Sequence, residues 1–146
     1  MKALTIHPMY VEAMTIGAKT IECRTWKTDY RGDILITASA KKQHDTIPSH
    51  ALLIAELYDI RHMKKNDAEA AFMLPEDISP DQFAWCLRNF RLIEPIPVKG
   101  KLSLWNFDED EKVKVIMTVE KLLDLMDNNP EEYLDVFNRY WASLYV

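Results

Sequence analysis

The sequence predicts an α+β chain, short strands and helices followed by an α-helical hairpin. Three observations lead there. Short apolar runs bounded by Gly, Pro, Asn and Asp recur through residues 1–107, the pattern of strands joined by turns. Composition changes at Asp108, beyond which acidic residues are interleaved with apolar ones at helical spacing. The chain has 146 residues, which suits one core without disulfide staples. A strand-rich domain over 1–107 and an acidic helical extension over 108–146, packed on it, are therefore expected.

The elements follow in order. Ala3-Leu4-Thr5-Ile6 reads as a short strand. Pro8 stands at the first position of a helix, where no N–H is needed, and Met9, Ala13 and Ile16 repeat at helical spacing. Gly17 ends that helix. From Thr20 to Trp26 the residues alternate, with Glu22 and Arg24 on one face and the more apolar Ile21 and Cys23 on the other, which is expected to face the core. Tyr30 to Asp33 turns the chain into the apolar strand Ile34-Leu35-Ile36. Ala40 to Ser49 is polar and reads as a mobile loop at the mouth of a site. Ala51 to Ile60 is a strand, and Lys65 to Met73 a short helix.

The next stretch points two ways. Ser79-Pro80-Asp81-Gln82 has the form of a helix start, and Phe83, Leu87 and Phe90 repeat at helical spacing. Phe83, Trp85 and Leu87 also alternate as in a strand. The pattern favours the helix. Glu94 to Pro97 is extended, and Leu102 to Trp105 is a last strand. Asp108 to Glu111 suits a helix N-terminus, followed by the stripe Val113, Ile116, Met117, Leu123 and Met126. Asn129-Pro130-Glu131-Glu132 starts a second helix carrying Tyr133, Phe137 and Trp141. Their aromatic stripe is expected to lid the strand-rich domain, or else to form a homodimer contact.

Charge sets limits on function. The net charge of −5 speaks against a uniformly basic nucleic-acid clamp, but the charge is uneven. Gly17 to Lys42 carries +3 and Phe107 to Val146 carries −6. The four histidines show no ligand spacing, the three glycines make no phosphate loop, and no serine sits in a nucleophile elbow. No metal or cofactor is expected. Cys23 and Cys86 match no metal pattern and suit free thiols in a cytoplasmic chain. No signal peptide or apolar run of about 18 residues stands out, so neither export nor a membrane span is expected.

The densest chemistry lies between Gly17 and Ser39. Lys19, placed just past a helix end beside an apolar strand, could act as a base if desolvated. Glu22 could serve as an acid/base, or pair with Lys19 and Arg24. Arg24 and Arg31 suit bidentate contacts with phosphate or base edges. Trp26 and Tyr30 could stack a base. Lys27, Ser39, Lys41 and Lys42 complete the candidate binding set, and Lys99 and Lys101 could follow a phosphate backbone. Trp85 and Trp105 read as core.

The same residues resemble a family. Gly17 to Trp26, with Lys19, Glu22, Arg24 and Trp26 at its spacing, then Tyr30-Arg31-Gly32 and Leu35 to Ser39, are similar to the signature of ASCH domains. Phe83 to Leu87 and Pro97 to Trp105 resemble later blocks, so the likeness spans roughly residues 1–107. It implies a PUA-like fold, a small mixed β-barrel with flanking helices, and makes the Phe83 block a strand. It also implies binding of RNA, single-stranded nucleic acid or a nucleoside. Some members resemble amidohydrolases that deacetylate N4-acetylcytidine through a lysine, a threonine and a glutamate. The lysine matches Lys19. The threonine position is Glu22, so that hydroxyl is absent, and Glu69 is the candidate third group. Thr37 stands where many members have histidine. The expected function is ligand binding in a basic cleft around Lys19, Arg24 and Arg31. The alternative is amidohydrolysis, with Lys19, Glu22 and Arg24 as catalytic candidates.

Overall fold

A computed structural model describes residues 1–146. Its centre is a seven-stranded mixed sheet curled into a half-barrel: β1 (Lys2–Ile6), β2 (Ile21–Arg24), β3 (Gly32–Ala38), β4 (His50–His62), β5 (Phe83–Pro97), β6 (Leu104–Asn106) and β7 (Val115–Thr118). The strand order is β2-β5-β4-β3-β1-β6, with β7 added to β5. The β1–β3 pair is parallel and the others are antiparallel. The parallel pair needs a crossover, which α1 (Pro8–Thr15) and β2 supply. Helix α1 starts on Pro8, and the chain leaves it through Gly17 at φ +76°, a left-handed turn that glycine makes without strain.

Both faces of the sheet are covered, so β3 is buried from Ile34 to Ala38. Leu4, Ile34, Ile36, Leu53 and Trp85 pack with Val11 and Met14 of α1 in the main core, while Ala3, Leu35, Ile54 and Ile93 form a second cluster. A third, smaller cluster joins Ile21 and Cys86 to Ala68 and Ala71 of the short helix α2 (Ala68–Ala71). The C-terminal pair α3 (Val119–Asn128) and α4 (Pro130–Tyr140) closes the main core. Val119, Leu122 and Trp141 are buried there, with Tyr133 and Phe137 packed alongside. The aromatic stripe is thus occupied within the chain. Both helix starts are capped, Thr118 accepting from Lys121 N and Asn129 from Glu132 N.

Three readings from local pattern need correction. Phe83 to Phe90 is strand, as the family resemblance implies and against its helical spacing, because β5 is held between β2 and β4 with Ala84 to Leu87 buried. Burial on both sides outweighs a helical repeat of three residues. The Ser79–Gln82 box instead closes a turn, with Gln82 N donating to Ser79 O and Ser79 N to Gln82 Oε1. The helix expected from Asp108 begins only at Val119; Val115–Thr118 pairs with β5. The apolar face of β2 meets a core cluster, and Glu22 and Arg24 share the other face. Ile21 faces the small third cluster, whereas Glu22 pairs across from Trp85, the largest buried side chain of the main core. Both faces are enclosed, and alternation alone cannot tell which enclosed face holds the site.

The 40–49 loop is tied at its two sides. Met9 N donates to Gln43 Oε1 at 2.8 Å, and Asp45 and Thr46 exchange backbone bonds with Val146.

Candidate functional site

The turn after α1 carries Lys19 beneath the sheet. Ala18 N and Lys19 N donate to Ala13 O, and Thr20 N to Ala70 O, so this segment is bonded to helices on both sides. Lys19 is 2% exposed. Its Nζ donates to Ile21 O and Ala71 O, each at 2.7 Å, and lies 3.2 Å from Glu22 Oε1. All three ammonium donors therefore have acceptors. Glu22 Oε2 is 2.9 Å from Arg24 Nη2, which also donates to Thr5 O at 3.0 Å. One buried carboxylate thus bridges two cations, an arrangement that offsets the cost of taking each from water. Burial pulls the Lys19 pKa below the ordinary lysine value, and the Glu22 carboxylate opposes that shift. Arg24 Nε is buried and has no hydrogen-bond partner within the chain.

The trio lines a cavity of about 840 Å³. Its walls come from β1 (Thr5, Ile6), the start of α1 (His7, Tyr10), β2, Ser39 and Ser49, the chain around Ala71 to Met73, and the Val98–Ser103 loop. Four cations reach it, Lys19, Arg24, Lys99 and Lys101, against the single carboxylate of Glu22. Tyr10 supplies an aromatic surface. Lys19 Nζ sits 4.9 Å from its ring centroid, His7 stacks on it at 6.4 Å, and Phe72 meets it edge-on at 6.5 Å. Cys23 also lines the cavity, and burial pushes its thiol pKa up, away from thiolate chemistry.

Thr5 organises the loop wall. Its Oγ1 lies 3.0 Å from Thr37 Oγ1 and accepts from Lys101 N and from Trp105 Nε1. Thr37 is fully buried and donates to Leu4 O, so it braces Thr5 and does not line the cavity. Gly100 packs so closely that a Cβ there would lie 2.5 Å from Thr5 Cγ2.

Of the residues singled out from sequence, Lys19, Glu22, Arg24 and Ser39 line the cavity, as do Lys99 and Lys101. The others do not. Trp26 packs edge-on against Trp85 at 4.8 Å, and its carbonyl accepts from Trp85 Nε1. Lys27 lies over Phe83 at 5.7 Å. Tyr30 donates to Asp33 O, and Arg31 folds onto Thr28 O and Tyr30 O of its own turn. Lys41 and Lys42 are exposed outside the cavity lining, and Glu69 is exposed and likewise outside it. Trp105 is half-buried. Sequence reasoning missed Tyr10, Gln82, Leu102 and Ser103. Lys99-Gly100-Lys101 was the one visible signal for the loop wall. No group of three His, Cys, Asp or Glu side chains is placed to hold a metal ion, and no helix is long and apolar enough to cross a membrane.

The mixed half-barrel agrees with the PUA-like fold that the ASCH resemblance implies. A family model described as the ASCH domain matches residues 4–122, and the chain belongs to the ASCH domain family. Solved structures agree in fold. An ASCH protein from Zymomonas mobilis aligns with a TM-score of 0.59 at 19% identity, covering 75% of this chain and 89% of that one. A tyrosine-to-phenylalanine variant of the Zymomonas mobilis protein gives 0.58 at 19%, covering 85% and 96%. A serine-to-alanine variant gives 0.54 at 17%, covering 85% and 94%. No curated protein matches significantly.

Proposed function

We propose that the cleft binds single-stranded RNA through one nucleotide seated in the cavity. The carrying observation is the pairing of four cations with one aromatic surface around a space of about 840 Å³, within the usual range for small-ligand sites. Tyr10 supplies an aromatic wall for a base, Arg24 lines the cleft as a cation, and Lys99 and Lys101 suit flanking phosphates. Membership of the ASCH family supports a nucleic-acid or nucleoside ligand. Arg31 is not part of this reading, since its guanidinium serves its own turn. The test compares RNA affinity at low salt. Lys101→Glu should weaken binding at least tenfold, and Lys27→Glu, outside the cleft, should change it less than twofold. Equal losses from both would mean diffuse charge attraction and would reject the cleft.

One observation favours amidohydrolysis as a second reading: Lys19 is buried, has a lowered pKa and touches Glu22. As a neutral amine, Lys19 would take a proton from water as the water oxygen bonds to the acyl carbon of an N4-acylated cytidine. The C–N bond then breaks, Glu22 relays the proton to the leaving amine, and acetic acid and cytidine depart. Incubation with N4-acetylcytidine decides it. Cytidine must form with the natural protein above a Lys19→Ala control, and its absence removes this reading.

A further inference from the structure

Leu102 is 93% exposed, the most exposed of the large hydrophobic residues, yet it lines the cavity. A lone exposed leucine is ordinary on a protein surface. This one sits on a braced loop. Val98 N donates to Ser49 O at the loop base, Gly100 packs against Thr5, and Lys101 N donates to Thr5 Oγ1 at 3.2 Å. Ser103, directly after it, has φ +61°, in the left-handed region, which turns the chain at the loop tip. The loop therefore holds an apolar tip in water directly after Lys101, with Lys99 three residues before it, and both lysines also line the cleft.

We propose that Leu102 is a wedge that enters the base stack beside the seated nucleotide and separates it from its neighbour. The proposal rests on the reading of the cleft as a single-strand site. Seating one base in a cavity requires breaking its stack with the next, which costs free energy. An apolar side chain inserted at that step covers the exposed base face, as wedge residues do in kinked duplexes. Lys101, next to the leucine, and Lys99, three residues before it, would hold phosphates beside that step. A mononucleotide has no such step, so it would gain little from Leu102.

The experiment uses the full chain and a pentaribonucleotide carrying 2-aminopurine, with the corresponding mononucleotide as second probe. On binding to the natural protein, 2-aminopurine fluorescence should rise as the base unstacks. Leu102→Ala should lower pentanucleotide affinity about tenfold, within the range for one stacking contact, lower mononucleotide affinity by less than threefold, and abolish the fluorescence rise. Leu134→Ala, an exposed leucine on α4 outside the cavity, serves as control. Equal losses for both probes would make Leu102 ordinary wall and overturn the wedge, as would an unchanged pentanucleotide affinity. Either result leaves the cleft reading standing. If the natural protein binds neither probe, that reading fails and the wedge with it. A deoxyribose pentanucleotide in parallel tells whether the sugar matters.

Discussion

At Glu22 one carboxylate, 6% exposed, holds Lys19 by one oxygen and Arg24 by the other. Replacing it by Gln leaves two cations facing each other without a counter-charge. Glu22→Gln should cost about 3–5 kcal/mol in urea denaturation, the usual cost of breaking a buried pair from one side; a cost near zero would show that water reaches the trio. Lys19 gives a pH signature. Its folded pKa is lowered by burial, so just below the ordinary lysine value the unfolded chain holds a proton that the folded chain has released. Stability then rises with pH in that window. Denaturation followed as the pH is raised toward the ordinary lysine value of about 10.4 should show this rise in the natural protein and lose it in Lys19→Met. A steeper rise in the variant would contradict the assignment.

Among the elements, the Val98–Ser103 loop depends on the missing side chain at Gly100. Gly100→Ala forces a methyl to within 2.5 Å of Thr5 Cγ2. It should cost about 1–3 kcal/mol as an overpacking change and weaken RNA binding, because the loop must lift from β1. The C-terminal hairpin depends on a different contact. Tyr145 OH donates to both oxygens of Glu12, whose pKa is raised by burial. Tyr145→Phe removes that donor and should cost about 1–3 kcal/mol at neutral pH. The loss should shrink in acid, since a protonated Glu12 no longer needs the donor. Local signals made much of this scale legible in the sequence. Pro8, Gly17 and Asn129-Pro130 mark helix ends through backbone requirements that tertiary packing did not alter. Phe83 to Phe90 and Val115 to Thr118 were not legible as strands by pattern, because their partners, not their own spacing, decide the conformation. Likeness to a known family, not periodicity, gave the Phe83 strand.

Over the whole molecule, opposite charges are kept apart. The acidic segment from Phe107 to Val146 contributes no side chain to the cleft, so a chain of net charge −5 still presents cations there. Binding should therefore be strongly salt-dependent. Three phosphates neutralised by Arg24, Lys99 and Lys101 give a slope of about −2 in log K against log salt, and removing either lysine should lessen it by about 0.7. The cleft was only partly legible. Lys19, Glu22 and Arg24 share one stretch and fall together, but Tyr10 and the Lys99–Ser103 loop reach them only through the β1–β3 and β1–β6 pairings. Lys27, Tyr30 and Arg31 lie close to the trio in sequence, yet their turn leads away from the cavity. These two stretches provide the most direct test, an amide chemical-shift titration of the isotope-labelled chain with a short single-stranded RNA. The shifts should gather at Thr5, Tyr10, Arg24 and Lys101. Shifts gathered instead at Lys27 to Arg31, with the cleft amides unmoved, would contradict the account.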